Sequence, residues 1–253
     1  MNAVDAATQA LLQARRSGHS TAAVALPDAE AAYAVQAGVA AALGWFSDGA
    51  AARHWKSGGP SRDAQPTHAP LPPAGVWDSP ADARARAWPF HFRGIEVEIA
   101  LRIARDVDAA LAAQLNVGNA PDIVDAMCVA IELVDSRWSE GLGAPALAKL
   151  ADLQSHSALV LGPWLPFAAR DWSAQTGAVT IGKAPAQTFR GTHSLGDPAF
   201  VLPAWLRHAT RDGAVVRAGS VVTTGTWCGL PLAADGDRVI ADFTGMGRAS
   251  VQL

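Results

Sequence analysis

The ten residues Gly94-Ile95-Glu96-Val97-Glu98-Ile99-Ala100-Leu101-Arg102-Ile103 limit most tightly how this chain can fold. Side chains alternate faces along a strand, so Ile95, Val97 and Ile99 project to one side and Glu96 and Glu98 to the other. Two anions on one face of an apolar strand repel each other and lose hydration, which requires solvent, a proton or a cation between them. A half-exposed antiparallel strand with a wet edge meets that requirement, and so does a hard divalent metal. These ten residues alone do not separate the two. A second run, residues 122–134, begins polar and becomes Ala-Met-Cys-Val-Ala-Ile-Glu-Leu-Val. Its β-branched and apolar content predicts a strand at its end, and it carries one isolated carboxylate, Glu132. An ion pair of Glu132 with Arg137 at the strand end is the ordinary alternative. Three carboxylates on two hydrophobic strands match what Mg²⁺ or Mn²⁺ requires: hard oxygen donors and open positions for water and a chelating substrate. No histidine follows in metal spacing, which argues against zinc.

Around these two strands the chain is mixed. Helical spacing of Val4, Ala7, Leu11, Leu12 and Ala14 predicts a first helix over residues 4–16. Residues 28–43 predict a second, with acidic residues in its first turn and Gly44 placed to end it. The stretch 44–60 loses periodicity and reads as loop, as does the proline-rich stretch 66–80. A short helix is expected within residues 106–115, capped by Asp106 or Asp108. Short strands are expected at 157–161, 178–181, 220–224, 238–243 and 249–253, with a helix from Pro198 to about Arg211. The result is an α+β protein with a large curved mixed sheet. Residues 1–60 are expected to form a small helical N-terminal subdomain, and residues 61–253 a β-rich metal-binding catalytic domain.

At 253 residues the chain can bury a sizeable core. No run approaches the 18 or so apolar residues of a membrane span, and the N-terminus does not resemble a signal peptide, so a soluble, cytoplasmic protein is expected. A net charge of −3 without a basic cluster gives nucleic acid no electrostatic footprint. Cys128 and Cys228 match no zinc spacing and read as buried free thiols. Nine tryptophans read as large fillers of core or pocket.

Glu96-Val97-Glu98, then Ile131-Glu132-Leu133-Val134, Leu150-Ala151-Asp152, Thr224-Gly225-Thr226 and Gly236-Asp237-Arg238-Val239 occur in an order that resembles the fumarylacetoacetate hydrolase superfamily. With the helix containing Ala31-Ala32-Tyr33-Ala34-Val35-Gln36, the chain looks most like its 2-keto-4-pentenoate (2-hydroxypenta-2,4-dienoate) hydratase and 2-oxo-3-hexenedioate decarboxylase branch. The resemblance implies a roll or barrel core like the fumarylacetoacetase C-terminal domain. It implies that Glu96, Glu98 and Glu132 hold one Mg²⁺ or Mn²⁺, which chelates the 1-carboxylate and 2-oxo oxygen of a 2-oxo acid. Lys56 matches the family's active-site lysine, where a cation beside an enolate can stabilise it or move a proton. Asp152 falls beside the substrate as a second catalytic candidate. Ser155 and the Thr224-Gly225-Thr226 turn would bind the substrate through hydroxyl and backbone N–H donors, although a plain turn between strands is the simpler reading of the latter. The sequence departs from the family where Lys56 is followed by Ser57-Gly58-Gly59-Pro60, and at the bulky, apolar Trp227-Cys228.

The expected function is metal-dependent addition of water to a 2-hydroxy-2,4-dienoate, giving a 4-hydroxy-2-oxo acid in aromatic catabolism. Decarboxylation of 2-oxo-3-hexenedioate and C–C hydrolysis of an acylpyruvate draw on the same enolate. What faces the metal distinguishes them: a base-activated water for hydrolysis, a second carboxylate-binding cation for a diacid. His54, His68, His156 and His193 are the candidate bases. A homo-oligomer is implied by the family, and association with a pathway partner enzyme, even as a catalytically silent subunit, is a further alternative.

Overall fold

The alternation in residues 94–103 is realised over the whole segment. A computed structural model describes residues 2–46 and 51–253. The helices are α1 (Ala3–Ser17), α2 (Ala29–Ala42), α3 (Ala109–Gln114), α4 (Ala146–Ala151) and α5 (Leu202–Ala209). The strands are β1 (His54–Gly58), β2 (Thr67–Pro70), β3 (Val76–Asp78), β4 (Ala81–Asp82), β5 (Gly94–Ile103), β6 (Val124–Val134), β7 (His156–Leu161), β8 (Leu165–Pro166), β9 (Thr176–Ile181), β10 (Gln187–Arg190), β11 (Val221–Thr223), β12 (Arg238–Phe243) and β13 (Gly247–Gln252).

Seven strands of the larger sheet run in the order β2-β1-β11-β5-β6-β7-β3, and β8 adds to β6. β5 and β6 form its antiparallel centre, with Glu96 directly opposite Glu132. One face of this sheet carries Ile95, Val97, Ile99, Leu101, Val129, Ile131 and Val160 into the main core. That core is shared with the second sheet, β10-β9-β12-β13-β4, whose β12 and β13 lie against β6. The opposite face carries Ala100, Cys128, Ala130 and Leu159, also buried, and then the three glutamates. Because both faces are covered, β5 and β6 read as nearly continuous apolar runs, and a carboxylate among them stands out. The two thiols are free and buried, as the sequence indicates.

The terminal helices follow their local signals. Asn2, Asp28 and Asp108 cap α1, α2 and α3 by accepting from the N–H three residues on, each at 2.8 Å. Each such cap contributes about 1 kcal/mol. Leu11 and Leu12 of α1 and Val35 and Val39 of α2 pack with Trp138 and Leu150 in a second core that joins these helices to α4. Among the described residues, no helix is long and apolar enough to cross a membrane.

Two segments differ from the sequence expectation. Residues 54–58, read as loop, form β1, which pairs in parallel with β11 and antiparallel with β2; residues 47–50 of that stretch lie outside the described residues. The proline-rich stretch 66–80, also read as loop, contains β2 and β3. Both are edge strands of the larger sheet, the positions where proline is tolerated because a strand there pairs on one side only.

Candidate active site

Strand register brings the site together. Glu96 and Glu132 are direct partners across β5 and β6, and Glu98 follows on the same face of β5. Lys56 is paired with Thr223, and Thr223 with Ala100. Four adjacent strands thus present Lys56, Thr223, Glu98, Glu96 and Glu132 on one face. One carboxylate oxygen from each glutamate lies within 4.8 Å of the others. The wet-edge alternative for the Glu96/Glu98 pair therefore fails: Glu98 and Glu132 are buried and Glu96 is half-buried. The ion pair of Glu132 with Arg137 is not formed either, since Arg137 binds Asp152.

Lys56 Nζ donates to Glu132 Oε1 at 2.6 Å and to the Gln154 carbonyl at 3.2 Å. His156 Nδ1 also lies 3.0 Å from Glu132 Oε1. Glu132 Oε2 is buried and has no partner among the described residues. Glu98 accepts from the Thr223 hydroxyl and, at 2.7 Å, from the Gly225 N–H. That N–H is aimed by a backbone at φ +113°, a conformation glycine adopts without steric penalty.

Charge divides the cluster. Burial raises Glu96 to about 7 and Glu98 to about 8, with repulsion from the other carboxylates adding to it. Burial also opposes ionisation of Glu132, but the Lys56 ammonium and the His156 hydrogen bond outweigh it and hold this carboxyl below the ordinary range. Lys56 is likewise desolvated, yet Glu132, Glu96 and Glu98 raise it, so it is a cation at neutral pH. With all three glutamates ionised, one lysine leaves a buried formal charge of −2, which a divalent cation cancels. Hard oxygen donors and an orphaned carboxylate oxygen fit such an ion.

Lys56, Thr223, Glu96 and Glu98 of the cluster line a cavity of about 650 Å³, with Glu132 buried behind them. Its far wall is the end of the β1-β2 hairpin, with Gly59, Pro60 and Gln65, and the α4 region, with Leu142, Leu147 and Lys149. Gly58-Gly59-Pro60, which departs from the family pattern, builds that wall while Lys56 itself is held by the sheet. The half-buried Lys149 donates to the Leu142 carbonyl at 3.2 Å and makes no ion pair among the described residues.

Several sequence candidates take other positions. The Thr224 hydroxyl donates to the Ile99 carbonyl and Thr224 is buried away from the cavity, whereas Thr223, one residue earlier, lines it. Gly225 and Thr226 line the cavity, but the Gly225 N–H is taken by Glu98 and the Thr226 hydroxyl donates to the Gly229 carbonyl. Trp227 is packed with Phe189 and Phe243 in the core. Ser155 lines the cavity with a buried hydroxyl that has no partner among the described residues. Asp152 is fully buried and does not line the cavity; its carboxylate binds Arg137 Nε at 2.7 Å and Arg15 Nη2 at 3.0 Å.

No histidine lines the cavity among the described residues. His68 Nδ1 is 2.8 Å from Ser57 Oγ, and His193 donates from Nε2 to the Thr224 carbonyl while its Nδ1 accepts the Leu195 N–H.

The family model for the fumarylacetoacetate (FAA) hydrolase C-terminal domain matches residues 45–253. The chain belongs to this family. No curated protein matches it at the sequence level. Among solved structures it is similar to 4-oxalocrotonate decarboxylase from Pseudomonas putida G7, complexed with magnesium and adipate. The TM-score is 0.83 at 17% identity, over 98% of this chain and 96% of that one. The same decarboxylase complexed with calcium and acetate gives 0.80 at 18% identity over the same shares. Fumarylpyruvate hydrolase from Pseudomonas aeruginosa, in complex with Mn²⁺ and pyruvate, matches at a TM-score of 0.55 and 14% identity, over 80% of this chain and 89% of that one. These likenesses establish the fold.

Proposed function

We propose that the chain is a divalent-metal-dependent lyase acting on an unsaturated 2-oxo acid, with Glu96, Glu98 and Glu132 holding Mg²⁺ or Mn²⁺. The observation that carries this reading is the Lys56 ammonium 2.6 Å from Glu132, in a cluster of three carboxylates of which Glu96 and Glu98, with Lys56, line a cavity. A divalent ion there supplies Lewis-acid polarisation of the 2-oxo group and an anchor for the 1-carboxylate. Lys56, held protonated by its neighbours, stabilises the developing enolate charge or moves a proton. The Ser155 hydroxyl is free to bind a substrate oxygen. The apolar side chains of Leu142, Leu147 and Leu230 line the cavity where the carbon chain of the substrate would lie.

Three reactions share this machinery, and the far wall favours one. C–C hydrolysis of an acylpyruvate calls for a base to activate water, and the cavity offers no histidine among the described residues. Hydration of a 2-hydroxy-2,4-dienoate, the first expectation, also needs a water at carbon 4. Decarboxylation of 2-oxo-3-hexenedioate needs none: the C5–C6 bond breaks, CO₂ leaves, and the electron pair moves through the C3–C4 double bond into the 2-oxo group. Lys149 provides the second cation that a diacid calls for. We therefore favour the decarboxylase reading, with hydration second. Purified protein with Mg²⁺ or Mn²⁺ is to be assayed against 2-oxo-3-hexenedioate, 2-hydroxypenta-2,4-dienoate and an acylpyruvate. Release of CO₂ from the first, at a higher kcat/KM than turnover of the others, is expected. No metal-dependent turnover of any of the three would refute the lyase reading.

A further inference from the structure

Three consecutive residues that are not glycine, Leu153, Gln154 and Ser155, have φ of +54°, +56° and +60°. Side chains other than glycine visit this left-handed region as single residues; a run of three persists only where its surroundings hold it. The surroundings are specific. Asp152, immediately before the turn, accepts from the Arg137 N–H at 2.9 Å and from Arg137 Nε at 2.7 Å, while Arg15 of α1 reaches the same carboxylate. Arg137 Nη2 spans the turn, donating to the carbonyls of Asp152 at 3.2 Å and His156 at 2.6 Å. Inside the turn the Ser155 N–H donates to the Asp152 carbonyl, and beyond it the Asp135 N–H donates to the Ser155 carbonyl, both at 2.9 Å. The product is a backbone whose middle carbonyl, that of Gln154, accepts from Lys56 and whose last residue places an unpartnered, buried hydroxyl at the cavity.

We infer that Asp152, clamped by Arg137 and Arg15, is a positioning residue that keeps Leu153-Gln154-Ser155 in a left-handed turn, and that this turn sets Lys56 and Ser155 for reaction. Asp152 itself touches neither cavity nor substrate. Through Arg15, helix α1 becomes part of the apparatus that shapes the active site. The inference rests on the proposed role of Lys56, and its test is built to be read without that role.

Asp152→Asn keeps the shape of the side chain and removes the charge that holds both arginines. It is expected to lower kcat at least tenfold, with KM changed less, and to accelerate hydrogen exchange of the Ser155 and Asp135 amides at least tenfold. Adding Gln154→Gly, which retains the carbonyl and occupies the left-handed region freely, should recover most of both losses. Adding Gln154→Ala, which shortens the side chain without freeing the backbone, should recover neither. Should Asp152→Asn fold poorly, Arg15→Met, which leaves Arg137 in place, should show the same pattern at a few-fold scale. Wild-type kcat and exchange rates in folded Asp152→Asn would overturn the inference, as would equal rescue by alanine and glycine, or a loss of activity that glycine does not relieve. If the wild-type protein turns over no 2-oxo acid, the lyase reading fails, and the exchange rates still decide whether the clamp holds the turn.

Discussion

The floor and the far wall of the cavity are built in opposite ways. The floor is strand register: Glu96 faces Glu132 across the central pair, and Lys56 sits opposite Thr223 on two strands further out. Its side chains are fixed by backbone ladders on both sides and by two buried faces. The far wall is made of a short helix, a hairpin end and a left-handed turn, held by side-chain contacts such as the Arg137 and Arg15 clamp on Asp152 and the bond from Lys149 to the Leu142 carbonyl. The difference teaches where each property of the site resides. On the proposed reading, ion binding and proton movement lie on the sheet, where a side chain cannot shift without moving a strand, and selection among substrates lies on the far wall. The elements of the far wall can change while the sheet stays the same.

Breaking the floor should have the largest effects. Glu98→Ala is expected to weaken Mg²⁺ or Mn²⁺ binding more than hundredfold, beyond the 10–100-fold typical of residues that only support a ligand. Calorimetry on the folded variant, verified by circular dichroism, measures it. Lys56→Met should lower kcat by roughly 10²–10⁴-fold, the range for a lost proton-transfer group. Metal affinity should be retained, because the cation competing for Glu132 is gone. Loss of metal binding along with activity would mean that Lys56 only supports the fold.

The charge of the floor gives a pH dependence. Glu96 at about 7 and Glu98 at about 8 are raised by burial, so they carry protons below those values and must release them to an incoming ion. Affinity should therefore rise with pH through about 7–8 and level off above, falling below that range by roughly tenfold per pH unit for each proton displaced. Metal titrations from pH 6 to 9 check the sign; affinity independent of pH would show that these carboxylates are already ionised.

Changes in the far wall should be smaller and selective. Lys149→Met is expected to raise KM for 2-oxo-3-hexenedioate by about tenfold, the loss of one charge-assisted hydrogen bond. It should leave kcat unchanged or raise it modestly, because negative charge leaves that carboxylate as CO₂ forms and a cation there favours bound substrate over the transition state. A monocarboxylic 2-oxo acid should bind both proteins alike, and equal effects on both would remove Lys149 from substrate recognition. Far from either wall, Asp108→Ala at the start of α3 should lower stability by about 1 kcal/mol in urea unfolding and leave kinetics unchanged.

The floor was largely legible in the sequence. Residues 94–103 alternate so regularly that strand limits and face assignment could be read directly, and Glu132 stood alone in an apolar run. Lys56 was found by resemblance, but its strand was not: His54-Trp55-Lys56-Ser57-Gly58 has no apolar alternation, and the segment is a strand because β11 and β2 flank it. The hydroxyl beside Glu98 was missed by one residue. In a strand a one-residue step reverses the face, so Thr223 meets Glu98 while Thr224 turns to Ile99. The far wall left little trace. Leu153-Gln154-Ser155 contains no glycine to announce positive φ, and the arginines that hold it lie far apart in the chain. Lys149 looks in the sequence like any lysine near the end of a helix, and only the fold brings it to the cavity that Glu96 and Glu98 line.

The central claim is that Glu96, Glu98 and Glu132 form one metal centre. A crystal grown with Mn²⁺, and data collected at the manganese absorption edge, tests it most directly. The account predicts one strong anomalous peak shared by these three carboxylates, with Lys56 still beside Glu132. A peak held by other residues, or none in a crystal of protein that turns over substrate, would contradict it.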